Sequence, residues 1–470
     1  MGTRDTWVSS LGFVLASVGS AAGLGNVWRF PWLTAENGGS AFLVVYLLVV
    51  VGVGVPGLLA EFVLGRRGRQ TPIGAFRSLI DSKWGTALGT FNVVTTLVIL
   101  SFYSVVGGWI LRYTLASPTG AYFAQPQQYF GAMGFGPASV GFHLAFLAIV
   151  AGIVFFGVGR GIERVSKVML PAIAVLLVGL AAWTATQPGT AAGYEYYLRF
   201  DAGYLVANLP SVLGPAAGQA LFTLSLGAGT MLTYASYIDD DTSLPQDTLV
   251  IAVSNTLVGV LAGLVVIPLL FSQGVDPGGG GPGALFVALA GAFGSLPGGP
   301  VVATAFFGTV LLAAVTSGIS LLEVPVATLV DTFDVPRRRA TLLVSLLLGA
   351  TGGGLALSSG AFQFASGTLA DLLLSVGLLG FLVVAGWLLP TDSVAEFRIG
   401  AGRFASFSDP WIAVVGWVLP TVVLFSLTSS VAPLVGVTLG LGGRALVAIG
   451  VTVACRAVVA VVSGEGVRPS

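Results

Sequence analysis

Twelve apolar runs, each long enough to cross a bilayer, leave this chain little choice of architecture. They lie near 8–30, 40–64, 86–115, 140–158, 166–186, 211–236, 249–272, 302–330, 340–357, 368–390, 411–432 and 440–462. About 20 apolar residues suffice for one crossing as an α-helix. The hydrocarbon core offers an unpaired backbone group no partner, so the runs must be helical. The expected fold is an all-α polytopic membrane protein of about 12 spans, with eleven as the lower count because Arg444 and Arg456 flank or enter the last run. Apolar residues make up 55% of the chain, charged residues 9%, and mean hydropathy is +0.94, values of a polytopic membrane protein rather than a soluble or disordered one.

Several function classes drop out at once. With 20 basic and 20 acidic residues, no net charge draws in nucleic acid. The single cysteine, Cys455, excludes an intrachain disulfide and any cysteine-built metal centre. The single histidine, His143, excludes a histidine-rich one and reads as an interfacial or packing residue. The first run lacks a basic segment followed by a small-residue cleavage site, so it reads as a span.

Basic residues set the orientation. Arg66, Arg67, Arg69, Arg77 and Lys83 follow span 2, Arg160, Arg164 and Lys167 follow span 4, and Arg337, Arg338, Arg339, Arg398 and Arg403 fall in later alternate loops. Of the loops on the other side, the main basic residue is Arg199. The positive-inside rule then puts both termini in the cytoplasm of a multi-pass cell-membrane protein. The acidic run Asp239-Asp240-Asp241 also falls inside, but acids count little in that rule. The tyrosine-rich stretch 187–210 reads as an outer, interface-seated segment, and the Gly- and Pro-rich stretch 276–300 reads as an outer loop whose semi-apolar piece at 284–293 packs over the outer mouth.

Two of the spans contain their own interruption. In the first, Gly19-Ser20-Ala21-Ala22-Gly23-Leu24-Gly25-Asn26 places three glycines near mid-membrane, each costing a helix about 1 kcal/mol against Ala. In the sixth, Phe222-Thr223 leads into Ser225-Leu226-Gly227-Ala228-Gly229. Paired interruptions at corresponding places in two halves point to the central site of a transporter. The expected organisation is therefore 1–186 as a first five-span unit, 187–210 as the outer segment, 211–390 as a second, inverted unit containing the loop 276–300, and 391–470 as spans 11 and 12 with a tail.

The residues at the breaks suit an alkali cation. Na⁺ needs several oxygen ligands and no acid–base or redox group, and Asn26, Thr223, Asn255, Thr316, Ser317 and the carbonyls of 19–22 supply them. Freed amides of Leu24 and Gly25, at a positive helix end, suit a carboxylate. Tyr103 is a hydroxyl donor for the same group. Arg29 with Asp371 at the outer side, and Arg4 with Asp331 beside Trp7 at the inner side, are charges that need partners. Glu61 and Glu323 read as buried anchors for unwound segments, with a protonatable group as the alternative.

The run GSAAGLGNVWRFP from Gly19 to Pro31, followed by Asn37-Gly38-Gly39-Ser40-Ala41-Phe42, Pro56, Glu61 and Gly65, resembles the neurotransmitter:sodium symporter family, the solute carrier 6 type. Further matches are Ser104-Val105-Val106-Gly107-Gly108-Trp109, GQALFTLSLGAG at 218–229, TYASY at 233–237, Ser254-Asn255-Thr256 and TSGISLLEV at 316–324. The resemblance implies a 5+5 inverted-repeat transporter fold with discontinuous helices 1 and 6, and two sodium sites. The first is Ala21, Asn26, Thr223 and Asn255 with a substrate carboxylate; the second is Gly19, Ala22, Ala313, Thr316 and Ser317. It also implies a substrate site of Ala21, Gly23, Leu24, Gly25, Ile99, Tyr103, Phe222, Thr223, Ser225, Ala228, Ser317 and Leu321. Arg29 and Asp371 are then the outer gate, and Arg4, Asp331 and Trp7 the inner one.

Gly23 stands where amine-carrying members have an Asp, so the substrate is expected to bring its own carboxylate. Ala228 replaces a bulky aromatic found in some members, which favours a medium or large neutral amino acid such as leucine, methionine or an aromatic one. Tyr46, Gln219, Thr223 and Asn255 match positions around the family's chloride site, while Gly259 carries neither its completing serine nor the carboxylate that substitutes for chloride; chloride dependence stays open. The function expected is sodium-coupled symport of a neutral, hydrophobic amino acid by alternating access. A non-concentrating receptor or channel-like protein of the same fold is the alternative. A membrane enzyme would need a convergent nucleophile–base pair or metal ligands, which one His and one Cys in distant spans do not offer. The expected partners are the amino acid and the lipid bilayer, with oligomeric state undefined.

Overall fold

The computed structural model describes residues 6–238, 242–274, 281–431 and 440–462. Arg4, the acidic run Asp239 to Asp241 and residues 276–280 of the outer loop lie outside the described residues. Helices account for the apolar runs. A bent pair, α1 (Ser10–Ala21) and α2 (Gly25–Glu36), is followed by α3 (Ser40–Gly68), α4 (Lys83–Thr119), α5 (Pro137–Val154) and α6 (Val158–Ala185). The second half begins with another interrupted pair, α7 (Ala202–Thr223) and α8 (Thr230–Ala235), then α9 (Leu244–Ser272). An outer helix, α10 (Gly281–Ser295), precedes α11 (Gly299–Phe333), α12 (Arg337–Leu357), α13 (Ser359–Leu388), α14 (Gly402–Thr428) and α15 (Leu441–Val462). Among the described residues, 11 helices are long and apolar enough to cross a membrane, or 12 with the bent pair as one.

Packing follows from burial. The long helices α4 and α11, 37 and 35 residues, pack on each other, and 78% of the most apolar stretch of each is buried. The interrupted pair α1/α2 lies against α6, α9 and α11, while α7 and α8 pack on α3. Helix α15 buries only 11% of its most apolar stretch. An apolar face toward lipid needs no partner, so exposed Leu342, Leu346 and Leu446 are ordinary here.

Several helices begin earlier than their apolar runs. Helix α7 starts at Ala202 rather than 211, because the Asp201 carboxylate accepts from the Tyr204 amide at 2.8 Å and caps the first turn. Residues Ala191–Leu198 of the tyrosine-rich segment form a short helix of their own. The piece expected at 284–293 is helical within α10, and its Phe286 packs on Trp109, Tyr113, Phe130 and Phe307.

The interruptions have local causes. Helix α1 ends at Ala21, and the chain turns by 43° before α2. A Cβ at Gly23 would lie 3.0 Å from the Tyr103 hydroxyl and collide with Ser317, so only glycine lets the turn sit this close to α4 and α11. In the second break Ser225, Gly227 and Gly229 all have positive φ, at 54°, 84° and 75°. Glu61 of α3 is fully buried and accepts from the Gly227 amide at 2.6 Å, giving the unwound backbone the partner that lipid cannot. The expectation that Glu61 anchors an unwound segment thus has a geometry. Glu323 is held likewise, accepting from the Tyr237 hydroxyl at 2.9 Å and pairing with Arg337.

His143 is fully buried in α5, with the Gly108 position of α4 and the Gly352 position of α12 against it, so it is a packing residue rather than an interfacial one.

Candidate substrate and ion site

Between the two breaks lies a cavity of about 30 Å³ lined by Ala21, Gly23, Leu24, Gly25, Ile99, Tyr103, Phe222, Ser225, Ala228, Ser317 and Leu321. A water molecule needs at least about 10–15 Å³ of such space, so the cavity has room for only a few. Two further lining residues, Ser20 and Leu374, are not among the expected substrate positions. Ser20 belongs to the interrupted run itself. Leu374 sits one helical turn from Asp371 on α13, so the charge at 371 is the signal that could have found it.

The closure has identifiable contacts. The Leu24 amide donates to the Tyr103 hydroxyl at 3.3 Å. Ser317 Oγ donates to the carbonyl of Ser20 at 2.8 Å, and Ser20 Oγ donates to Ser320 Oγ at 2.7 Å. These polar groups belong to residues expected at the substrate and ion sites.

Asn26, Thr223 and Asn255 form one buried cluster beside this cavity. Asn26 Nδ2 donates to the Asn255 carbonyl at 2.7 Å and to Asn255 Oδ1 at 2.9 Å, and the Thr223 hydroxyl donates to Asn26 Oδ1 at 2.8 Å. The same terminal amide atom of Asn255 lies 3.1 Å from the Ala21 carbonyl; with the amide turned it is a nitrogen that donates there and no longer accepts from Asn26, and in either orientation all four residues expected at the first sodium site meet. Thr223 belongs to this cluster rather than to the cavity wall.

At the second expected sodium site, Ser317 Oγ also reaches the Gly19 carbonyl at 3.3 Å, and Thr316 Oγ1 donates to the Ala313 carbonyl at 2.9 Å. A Cβ at Gly19 would stand 3.2 Å from that of Thr316, which brings the end of α1 and the middle of α11 into contact. Ala22 is fully buried at the end of α1, its amide donating to the Val18 carbonyl at 2.6 Å. Carbonyls at a helix C-terminus carry roughly half a negative charge together, which favours a cation there. Among the described residues no group of three or more His, Cys, Asp or Glu could hold a metal, so any ion held here rests on neutral oxygens.

Tyr46 and Gln219 are fully buried next to the first cluster; Gln219 Nε2 donates to the Gly25 carbonyl at 2.7 Å, and the Tyr46 ring packs on Phe30 and Phe42. At Gly259 a Cβ would approach Asn26 Nδ2 to 3.5 Å, an ordinary contact.

Above the cavity, Arg29 pairs with Asp371 at 3.2 Å, and its guanidinium lies 4.8 Å from the centre of the Phe222 ring. Phe222 therefore separates the central cavity from a wider cleft of about 600 Å³ walled by Trp28, Trp32, Phe102, Trp109 and Phe362. At the opposite, basic end, the Trp7 indole donates to the Tyr234 carbonyl at 2.9 Å and packs edge-on against Tyr234 and Phe13. Asp331 is exposed near the same end of α11, and its expected partner Arg4 lies outside the described residues.

The chain is similar to known sodium-dependent transporters over most of its length. The sodium-dependent transporter YhdH of Bacillus subtilis is 33% identical over 436 residues, 89% of this chain and 96% of that protein. The sodium-dependent dopamine transporter of Bos taurus is 28% identical over 432 residues, 78% of this chain and 61% of that protein. The crystal structure of MhsT in complex with L-phenylalanine superposes with a TM-score of 0.82 at 34% identity, covering 91% of this chain and 100% of that one. The sequence also matches the family description over residues 4–125 and 134–379, and on these grounds the chain belongs to the sodium:neurotransmitter symporter family, with the inverted-repeat fold and interrupted first and sixth spans that its own backbone displays.

Proposed function

We propose that the chain carries a neutral, hydrophobic amino acid into the cell together with Na⁺ by alternating access. The observation that carries this reading is the buried meeting of Asn26, Thr223, Asn255 and the Ala21 carbonyl at the edge of the central cavity. One Na⁺ takes its oxygens from that cluster and from the substrate carboxylate, and a second takes them from Gly19, Ala22, Ala313, Thr316 and Ser317. The carboxylate displaces the Tyr103 hydroxyl from the Leu24 amide and then accepts from both. The side chain lies among Ile99, Ala228, Phe222 and Leu321, an apolar wall that suits leucine, methionine or an aromatic residue. The complex of MhsT with L-phenylalanine supports this class of substrate.

The basic end faces the cytoplasm in this reading, as the Lys and Arg bias of its loops favours. Sodium steadies the two breaks, substrate completes the first ion site, and Phe222 with the Arg29–Asp371 pair closes over them. The Trp7 plug and the charges at Arg4 and Asp331 then open inward. Because ion and substrate share ligands, each raises the affinity for the other by the same factor. Chloride, if used, lies by Tyr46, Gln219, Thr223 and Asn255.

The test is uptake of labelled amino acids into proteoliposomes under a Na⁺, K⁺ or proton gradient, with a competing panel. Concentrative, Na⁺-driven uptake of hydrophobic amino acids is expected. Full-rate uptake without Na⁺ overturns the coupling, preference for glycine or glutamate overturns the substrate class, and binding without accumulation assigns the chain to a receptor.

A further inference from the structure

We propose that Glu163 is the releasable latch of the inner end, a positioning residue whose carboxylate holds the foot of α1 closed against α6. The inference rests on the alternating-access reading above, in which that foot must leave for the inner end to open. Glu163 lies in the first turns of α6 and is only 2% exposed. Its Oε2 accepts from the Val8 amide at 2.7 Å, and its Oε1 accepts from the Ser9 hydroxyl at 2.9 Å and from Lys167 Nζ at 2.7 Å.

The bonds fall where α1 can be released whole. Ser9 caps α1, its hydroxyl accepting from the Gly12 amide at 3.0 Å while it donates to Glu163. Through that hydroxyl the carboxylate faces the positive end of a 12-residue helix, a favourable place for a negative charge. Both groups held on α1's side precede Ser10, so breaking the two bonds frees the helix without unwinding it. The fit is specific at Gly12, where a Cβ would lie 2.2 Å from the Glu163 carboxyl carbon. Toward α8 the foot is held by Trp7 instead, whose indole donates to the Tyr234 carbonyl and whose amide donates to the Tyr237 carbonyl at 3.4 Å. Glu163 is the charged half of a two-sided clasp.

Lys167 makes the hold reversible. A buried charge left without its partners is strongly destabilising, which would lock a purely structural contact shut. Lys167 stands four residues on along the same helix, on the same face, and its side chain is 39% exposed. It stays with Glu163 whether α1 is docked or gone, so the open state keeps its carboxylate paired. The consequence has a sign that mere loosening lacks. Removing the carboxylate should open the inner end, whereas removing Lys167 strands the carboxylate in the open state and should hold that end shut.

The experiment follows modification of Ser17→Cys by a water-soluble maleimide, in a Cys455→Ser background of the full chain. Ser17 is fully buried in α1, about two turns above Ser9. A hydrogen bond to a charged group is worth about tenfold or more, so Glu163→Gln, which keeps one acceptor of the two, should react at least about tenfold faster. Gly12→Ala, which pushes the same carboxylate away without altering it, should do likewise. Lys167→Gln should react more slowly, by up to about fivefold, the scale of a partly exposed ion pair. A second reporter, Leu33→Cys on the wall of the wider cleft, should not speed up in any of them. Unchanged or slower modification of Ser17→Cys in folded Glu163→Gln or Gly12→Ala overturns the latch. So does an unchanged or faster rate in Lys167→Gln, or equal acceleration at Leu33→Cys. Should the first two variants not fold, the direction of the change in Lys167→Gln alone decides. Modification needs no transport, so a failure of the symport reading shows separately, as missing Na⁺-driven uptake by the unmodified chain.

Discussion

Replacing Asn26 with Ala tests the shared ion and substrate cluster most directly. The side chain makes three contacts of 2.7–2.9 Å, to the Asn255 carbonyl, Asn255 Oδ1 and the Thr223 hydroxyl, all buried. In the ion-bound state proposed above its oxygen is a ligand, and an interaction with a charged group contributes about 1.5–3 kcal/mol. The Na⁺ concentration for half-maximal uptake should therefore rise about 10- to 150-fold. Substrate affinity at fixed, sub-saturating Na⁺ should fall as well, because the coupling is reciprocal. The assay is labelled L-phenylalanine uptake into proteoliposomes as a function of Na⁺. Asn37→Ala is the control, since its amide donates to the Leu33 carbonyl at 2.8 Å outside the cluster, and its half-saturation should not move. A folded Asn26→Ala protein whose Na⁺ dependence stays within twofold of the parent would refute the reasoning.

Two further perturbations probe the scaffold. Glu61→Ala leaves the buried Gly227 amide without its acceptor, so thermal unfolding should show a loss of about 1–3 kcal/mol, while Glu61→Gln, which keeps an oxygen there, should recover most of it. Trp7→Ala removes the plug that donates to the Tyr234 carbonyl. In a Cys455→Ser background, a cysteine placed at the buried Ser17 should then react faster with a water-soluble maleimide; an unchanged rate would remove Trp7 from the inner closure.

How much of this was legible in the sequence depends on how far apart the contacts are along the chain. Helix breaks at Gly23 and Gly227 are local events, written in residues that tolerate the backbone conformation, and they read directly. Residue types at the ion cluster read almost as well, because Asn26, Thr223 and Asn255 are polar in apolar surroundings. Pairings did not follow from spacing: Glu61 stands out as a buried acid, yet nothing near it names the Gly227 amide as its partner. Leu374 stayed hidden because it is apolar in an apolar span, and only its place one turn from Asp371 marks it as facing a cavity. Nothing in the sequence marks Glu163, although it is almost fully buried and holds the Val8 amide at 2.7 Å. The π-helical turn at Val50–Gly54 left no signal, since it inserts a residue without changing composition.

Charge balance gives the reason that the proposed cargo must be carboxylated. No cluster of acidic side chains stands near the breaks among the described residues, and the oxygens facing the first ion position are amides, a hydroxyl and carbonyls. A sodium ion there is a buried positive charge with neutral ligands, which is costly unless an anion accompanies it. Glu61 is not among the oxygens of that cluster: its Oε1 accepts from the Gly227 amide of the second break. Gly23 does not supply the anion either, since it has no side chain. The substrate carboxylate is then the counter-ion, and an amino acid amide, which keeps the side chain and ammonium but not the negative charge, should compete at least tenfold more weakly for uptake than its parent, about 1.4 kcal/mol at minimum. Phenylalaninamide against phenylalanine makes the comparison at constant shape. Equal competition by the two would mean that the ion's charge is balanced elsewhere, and would detach sodium from substrate in this mechanism.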